Sequence, residues 1–91
     1  MRGLIASPVF RKTSRRFLEG NPKLEQKFVK VLSVLKKDPF DSSLKTHKLH
    51  GSLSQLYACS INYNYRIVFS VGEEAVILYA VGSHDEVYKS N

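Results

Sequence analysis

The sequence has 91 residues and a mass of 10.4 kDa, a length at which we predict one domain spanning residues 1–91. Its hydrophobic fraction of 43% and charged fraction of 24% are typical of a globular protein and exclude a disordered one. No apolar run approaches the roughly 20 residues that a membrane-spanning helix needs. The one cysteine, Cys59, excludes an internal disulfide framework. We therefore expect a soluble protein of the cytoplasm that does not associate with membranes.

Basic residues are concentrated in the first half of the chain. Residues 1–50 contain twelve of the fourteen Lys and Arg side chains and four acidic ones, a net charge of +8. Residues 51–91 carry a net charge of −2. Since a positive field on one half of a small domain attracts anions, this asymmetry favours a polyanion or an acidic protein as partner.

The first elements along the chain are two predicted helices. Ser7 and Pro8 provide an N-cap and a favourable first helical residue, and Asn21-Pro22 repeats this start signal. An apolar stripe at helical spacing follows, formed by Leu24, Phe28, Val31, Leu32 and Leu35. Pro39 ends the second helix. Because about two residues link the helices, we predict an antiparallel helical hairpin.

The remaining elements are predicted strands over 56–61, 65–71 and 75–81, which are rich in β-branched and aromatic residues. The short polar link Gly72-Glu73-Glu74 predicts an antiparallel hairpin between the last two. Leu4-Ile5 could add a short strand at the start. We predict that Gly82-Ser83 ends the last strand and that residues 84–91 form a polar tail.

These elements predict an α+β fold in which the helical hairpin packs on one face of a three- to four-stranded antiparallel sheet. The opposite face of such a sheet is then free to form a site. Alternation along the strand over 65–71 places Tyr65, Ile67 and Phe69 on one face and Arg66 on the other. We therefore expect the Arg66 guanidinium on the open face.

Candidate chemistry lies in the histidines and in Arg66. Lys45, His47, Lys48 and His50 fall within seven residues, and His84 follows the last predicted strand. No spacing matches a metal site, and phosphate loops and hydrolase motifs are missing, so we expect neither metal nor cofactor. RNA cleavage needs a base, a cation for the phosphate and an acid, which imidazole and guanidinium groups supply without metal. Solvated loop side chains are the alternative interpretation of this set.

Five blocks of the sequence, in order, resemble the RelE/ParE toxin superfamily, and within it the YafQ-like (RelE/StbE-type) mRNA interferases of bacterial type II toxin–antitoxin systems. The blocks are 21–24, 38–40, 44–51, 65–69 and 81–88, which together extend over most of the chain. The resemblance implies a RelE-like fold and a toxin that inhibits translation by cleaving mRNA as a ribosome-dependent endoribonuclease. It also implies a cognate antitoxin as partner, with operator DNA bound only through that antitoxin.

The resemblance implies four catalytic residues, which are Arg66, His84, Tyr88 and His47. In this comparison Arg66 contacts the scissile phosphate, Tyr88 orients or stacks on a base, and the two histidines serve in acid–base catalysis. It further implies auxiliary RNA contacts at Lys45, Lys48 and His50.

The sequence departs from the YafQ-type pattern between residues 60 and 65. That pattern uses a histidine and an aspartate in this region, whereas this chain has Ser60, Asn62 and Asn64. Because serine and asparagine do not titrate near neutral pH, the general base has to be His47 or His84. The assignment of acid and base stays open between them.

Two other functions are compatible with the same fold. A ParE-like toxin would bind and poison DNA gyrase without nuclease activity, and the retention of Arg66, His84 and Tyr88 argues against it. A toxin that has lost its activity could persist as a co-repressor on operator DNA through its antitoxin. Asn62 and Asn64, at positions where titratable residues are expected, keep that interpretation open.

Overall fold

The computed structural model describes residues 2–51 and 55–89, with the side chains of Tyr88 and Lys89 excluded. Its strands and helices, in chain order, are β1 (Gly3–Ala6), α1 (Pro8–Gly20), α2 (Glu25–Lys37), β2 (His47–Lys48), β3 (Tyr57–Ser60), β4 (Tyr65–Val71), β5 (Ala75–Ser83) and α3 (His84–Lys89). Short 3₁₀ turns cover Pro22–Leu24 and Ser42–Leu44. None of the helices in the described ranges combines the length and apolarity that crossing a bilayer requires.

The strands form one five-stranded sheet in the order β1-β5-β4-β3-β2. The predicted β4–β5 hairpin is confirmed, and β3 and β2 continue the antiparallel pairing. The expectation of a three- to four-stranded, all-antiparallel sheet is wrong, since β1 pairs with β5 in parallel and β2 adds a fifth strand. β1 can pair with β5 in parallel because the long chain between them, which includes α1 and α2, forms a crossover connection. β2 has only two residues, too few for an alternating pattern to reveal it.

Both long helices bury their apolar residues against one face of the sheet, as predicted. The Phe28 ring of α2 lies 6.2 Å from the Phe10 ring and 5.6 Å from the Phe17 ring of α1. Phe17 also meets Tyr65 of β4 at 4.8 Å. Leu35 is fully buried in the same cluster. The α+β class is therefore confirmed, with the main core between the helices and the sheet.

The opposite face of the sheet is partly covered by α3, which corrects the predicted polar tail. Gly82 and Ser83 remain within β5, and residues 84–89 are helical. Val87 of α3 packs in a second apolar cluster with Leu49, Ala58 and Val68. A Cβ at Gly82 would lie 3.4 Å from atoms of Glu86 and Val87, so α3 packs in close contact with the backbone of β5.

The start of α3 is held by a capping box. The Ser83 backbone N–H donates to Glu86 Oε1 at 2.9 Å, and the Glu86 N–H donates to Ser83 Oγ at 3.1 Å. This Ser-x-x-Glu pair satisfies two otherwise unpaired amide groups at the helix start. The Ser-x-x-Glu capping motif is present in the sequence. The helix that follows it has only six residues, too few for an apolar repeat that would predict a helix.

Helix α1 also closes the edge of β5 that β1 leaves uncovered. β1 ends at Ala6, opposite Leu78. Beyond that point, Ser7 Oγ donates to the Tyr79 carbonyl at 3.1 Å and the Val81 N–H donates to Thr13 Oγ1 at 3.0 Å. Ser7 is also the N-cap of α1, as predicted, because its side chain accepts from the Phe10 N–H. The two hydroxyls thus tie α1 to the strand that leads into α3.

We expect Thr13→Val to lower the free energy of unfolding by about 1–3 kcal/mol. The substitution keeps the shape of the side chain but leaves the partly buried Val81 N–H without its acceptor. Thr13→Ser retains the hydroxyl and is the matched control. Chemical denaturation followed by circular dichroism measures the difference, and equal stability of the two variants would contradict this role.

Candidate functional site

Arg66 lies on β4, the central strand of the sheet, at a position that alternation directs away from α1 and α2, as predicted. Its guanidinium lies at the end of the sheet, against the β3–β4 loop. Arg66 is in register with Ser60 of β3 and Gly82 of β5. Its Nη1 atom donates to the carbonyl oxygens of Asn62, Tyr63 and Tyr65 at 2.7, 3.2 and 3.0 Å. Nε and Nη2 donate to no other part of the described chain. The guanidinium is thus anchored through one nitrogen and offers its remaining donors to an anion.

The β3–β4 loop, which supplies two of these three carbonyl groups, is organised by Asn62. Its Oδ1 atom accepts from the backbone N–H groups of Asn64 and Tyr65, both at 2.9 Å. Its carbonyl oxygen accepts from Ser60 Oγ at 2.9 Å in addition to Arg66. Asn62 and Ser60 therefore build the backbone cradle for Arg66. This gives a structural use to residues in the segment where the YafQ-type pattern has titratable groups.

His84 is placed beside this loop by α3. Its backbone N–H donates to the Asn64 carbonyl at 2.9 Å, so the loop and the helix start are joined directly. The imidazole is 56% exposed, and its Nδ1 lies 3.7 Å from Asp85 Oδ1. His84 and Arg66 line the same cavity of about 530 Å³. We name it the Arg66–His84 cavity; its other lining residues are Tyr63, Asn64, Tyr65, Ser83 and Asp85.

His47 reaches the same face of the sheet from the other side of Arg66. It pairs with Ala58, which pairs with Val68 on β4, and residues in register point to the same face. Two strand spacings and two residues along β4 separate the His47 and Arg66 backbones by roughly 12 Å. Its Nδ1 lies 3.2 Å from the Lys45 carbonyl oxygen. Arg66 on β4 thus lies between β2, which carries His47, and β5, which leads into His84.

The structure does not bring all the predicted RNA contacts together. Lys48 pairs with Tyr57, which belongs to the helix-side core, so Lys48 is on the face opposite Arg66. His50 is exposed beyond the end of β2. Lys45 lines a second cavity, of about 500 Å³, together with Arg66. Tyr88 belongs to α3, and its side chain lies outside the described part of the chain.

The second cavity is a feature that the sequence analysis did not anticipate. It lies between α2, the 3₁₀ turn Ser42–Leu44 and the β3–β4 loop, and it includes Lys27, Lys30 and Tyr63. The two lysines are three residues apart on α2, a spacing that places them on one face of a helix. The spacing of the two lysines was the one feature of the sequence that could have indicated this site. Charged residues on a helix are common on protein surfaces, however, and only the tertiary structure shows that these two line a cavity.

The chemistry available at this face is that of permanent cations and imidazoles. Within residues 2–51 and 55–89, no three His, Cys, Asp or Glu side chains converge as metal ligands. Cys59 is buried in the sheet, and burial raises the pKa of its thiol to about 12, against the lowering effects of an Ile67 backbone hydrogen bond and of Arg66. Its sulfur is therefore protonated at neutral pH and unsuited to nucleophilic attack.

Residues 4–89 match the YafQ toxin family, which is described as a bacterial toxin of a type II toxin–antitoxin system. The chain belongs to the YafQ toxin family. The resemblance to the RelE/ParE superfamily is thereby confirmed, and the protein is a type II toxin. No curated protein matches the chain significantly.

Solved structures of other toxins share its fold. YafQ from Escherichia coli strain BL21(DE3) has a TM-score of 0.80 at 14% identity, covering 97% of this chain and 99% of that one. A copper-bound mutant toxin from Helicobacter pylori has a TM-score of 0.74 at 26% identity, over 96% and 99% of the two chains. The E. coli DinJ–YafQ toxin–antitoxin complex matches at 0.78 and 15% identity, over 96% and 97%. The fold of this chain is therefore the fold of these solved toxin structures.

In this toxin we expect α3 to become less stable as the pH is lowered through the acid range. Hydrogen bonds from the Ser83 backbone and side chain hold the pKa of Glu86 below its ordinary value of 4.5, and the Arg16 charge contributes to the lowering. A lowered pKa in the folded state contributes stability above pH 4.5 that is lost as the pH falls through the folded value. The protection factor of the Val87 amide, determined by hydrogen exchange between pH 3 and 6, measures this effect.

The control for this experiment is Glu86→Gln. Glutamine can accept the same hydrogen bond from the Ser83 N–H but carries no charge. The protection factors of its α3 amides, which are corrected for the intrinsic pH dependence of exchange, should therefore no longer change with pH. Asp41 also has a lowered pKa, which results from hydrogen bonds that the side chain and backbone of Ser43 donate to its carboxylate. An unchanged pH profile in Glu86→Gln would therefore assign the effect to other carboxylates.

Proposed function

We propose that this YafQ-family toxin is an endoribonuclease that cleaves mRNA on the ribosome and thereby inhibits translation. The observation that carries the proposal is the shared cavity of Arg66, anchored by its Nη1 atom with other donors left over, and His84. A permanent cation beside an imidazole on an accessible surface suits phosphodiester chemistry. The excess of basic residues in the first half of the chain suits a polyanionic substrate.

In the proposed reaction, the 2′-hydroxyl oxygen forms a bond to the adjacent phosphorus as a base removes its proton. The bond from phosphorus to the 5′ oxygen breaks, and an acid protonates that oxygen as it leaves. The products are a 2′,3′-cyclic phosphate and a free 5′-hydroxyl, and no metal ion takes part. Arg66 stabilises the charge that grows on the phosphate oxygens.

The histidines on either side of Arg66 suit the two proton transfers. The proposal gives His84 and His47 these roles and leaves open which is the base. Tyr88 is proposed to orient or stack on a substrate base. Lys45 is proposed as an auxiliary RNA contact beside Arg66, and Lys48 and His50 as auxiliary contacts to RNA outside this site. Because this set lacks a strong base, we propose that the ribosome supplies the alignment of the 2′-hydroxyl with the phosphorus.

We further propose that a cognate antitoxin silences the toxin in the cytoplasm. The DinJ–YafQ complexes are solved examples of a toxin of this fold with its antitoxin. An acidic or amphipathic antitoxin that covers α1 and α2 would neutralise part of the basic half of the chain. Operator DNA is then bound only through the antitoxin.

Mapping RNA 5′ ends minutes after induction tests the proposed function. We expect new ends within translated frames for the wild-type chain and none for His84→Ala. Growth arrest without new ends would overturn the proposal. Gyrase-dependent DNA breaks under the same conditions would instead identify a ParE-like activity.

We expect Asn62→Ala to lower the cleavage rate by up to about 100-fold, because the loop that orients Arg66 loses two hydrogen bonds. Asn62→Asp keeps an oxygen acceptor for both N–H groups and should restore most of the rate. Single-turnover cleavage on programmed ribosomes measures both variants. If Asn62→Asp is as slow as Asn62→Ala, Asn62 does not act as a positioning residue for Arg66.

A further inference from the structure

The second cavity, which we call the lysine groove, is strongly positive. Among the described residues that line it are Lys27, Lys30, Lys45 and Arg66, and none of those lining residues is acidic. Lys27 and Lys30 lie one helical turn apart on α2, and Lys45 faces them from the other wall. Its floor is apolar and consists of Val31, Val34, Leu44 and Ile61. A groove with cationic walls and an apolar floor suits a ligand that alternates anionic groups with flat apolar ones.

Tyr63 stands at the entrance to this groove and is 90% exposed. It lines both the lysine groove and the Arg66–His84 cavity, as does Arg66. The Tyr63 carbonyl accepts a hydrogen bond from Arg66 Nη1 at 3.2 Å, so its backbone is tied to the guanidinium while its ring is open to solvent. The two cavities therefore meet at Arg66 and Tyr63.

We propose that the lysine groove binds the single-stranded RNA that continues from the scissile phosphate held at Arg66. Tyr63 stacks on a base next to that phosphate, and Lys27, Lys30 and Lys45 bind the phosphates beyond it. This assignment deepens the proposed nuclease function and depends on it for the identity of the ligand. It adds a substrate-binding surface, next to Arg66, to the proposed catalytic residues.

Charge and continuity favour RNA over an acidic protein segment as the occupant. An acidic segment would satisfy the lysines but gives no role to an exposed aromatic ring, whereas every nucleobase has a face that stacks on one. The groove and the Arg66–His84 cavity share Arg66 and Tyr63 in their linings, so a strand with its phosphate on Arg66 can continue from one into the other. Both features point to the substrate strand.

Fluorescence anisotropy with a labelled 2′-O-methyl oligoribonucleotide tests the assignment on the full chain. This probe has no 2′-hydroxyl nucleophile, so its binding does not depend on cleavage. We expect Tyr63→Ala to weaken binding about tenfold and Tyr63→Phe, which keeps the ring, to bind like the wild type. The exposed ring makes no core contact that either substitution would remove.

The lysines are tested by the salt dependence of binding to the same probe. The double variant Lys27→Ala/Lys30→Ala should reduce the slope of log K against log salt by about 1.4, the value for two lost phosphate contacts to a single strand. Lys36→Ala/Lys37→Ala removes the same charge from the same helix outside the groove and should leave the slope near that of the wild type.

Three outcomes would overturn the lysine groove as an RNA site. They are wild-type binding by Tyr63→Ala, equal slopes for the two lysine pairs, and competition by polyglutamate that depends on Tyr63 as strongly as RNA binding does. Failure of the nuclease proposal looks different, since 5′-end mapping would then find no cleavage while binding of the 2′-O-methyl probe still depended on Tyr63 and the groove lysines.

Discussion

Replacing Arg66 by alanine is expected to lower the rate of mRNA cleavage about 100- to 1,000-fold. That is the usual cost of removing one group that stabilises charge developing in a transition state. The guanidinium is the permanent cation shared by the Arg66–His84 cavity and the lysine groove. Of the carbonyl groups that Arg66 contacts, that of Tyr63 is exposed and those of Asn62 and Tyr65 are only partly buried. Water can therefore replace the guanidinium, and the fold should be retained.

Single-turnover cleavage on programmed ribosomes measures the effect, with circular dichroism as the check of folding. Arg66→Lys is the matched variant, because it keeps the charge but loses the planar fork that both anchors to the loop and binds phosphate. We expect it to recover only part of the rate. Cleavage by Arg66→Ala at the wild-type rate would remove Arg66 from the mechanism.

His84→Ala is expected to lower the cleavage rate about 100- to 10,000-fold, the range for loss of a general acid or base. It should also abolish growth inhibition while leaving antitoxin binding intact. The side chain is exposed and α3 is held by Ser83 and Glu86, so the loss should not come from unfolding. Loss of antitoxin binding in both His84→Ala and Arg66→Ala would instead give these residues a structural role.

A substrate with sulfur in place of the leaving 5′ oxygen separates the two proton transfers. A thiolate leaves without protonation, so a variant that lacks the general acid is rescued by this substrate and one that lacks the general base is not. Comparing His84→Ala with His47→Ala therefore assigns both roles. If neither variant is rescued and both are slow, the acid is a different group.

The site was only partly predictable from the sequence. Alternation along β4 placed Arg66 on the face away from the helices, because strand geometry alone decides which way neighbouring residues point. Alternation could not show that α3 would cover part of that face, since Val87 finds Leu49 and Val68 only through the tertiary fold. The resemblance pointed to His84, and α3 brings it to the same cavity as Arg66.

Local chemistry in the sequence determined the elements whose signals are contained in a few neighbouring residues. These are the Ser7 cap of α1, the apolar stripe of α2 and the hairpin over 65–81, because caps, periods and turns act over short range. The net charge of +8 in residues 1–50 was equally a property of the sequence. Together they determined the α+β class and led to the prediction of an anionic partner.

The tertiary structure decided what depends on residues far apart in the chain. The parallel pairing of β1 with β5 joins residues more than seventy positions apart, and no local pattern encodes it. The lysine groove combines one face of α2 with a loop between two strands. The pairing of β2 with β3 places His47 on the face of Arg66 and Lys48 on the opposite face. Such placements follow from how the apolar faces of helices and sheet pack together, which fixes distant polar groups only after the core has formed.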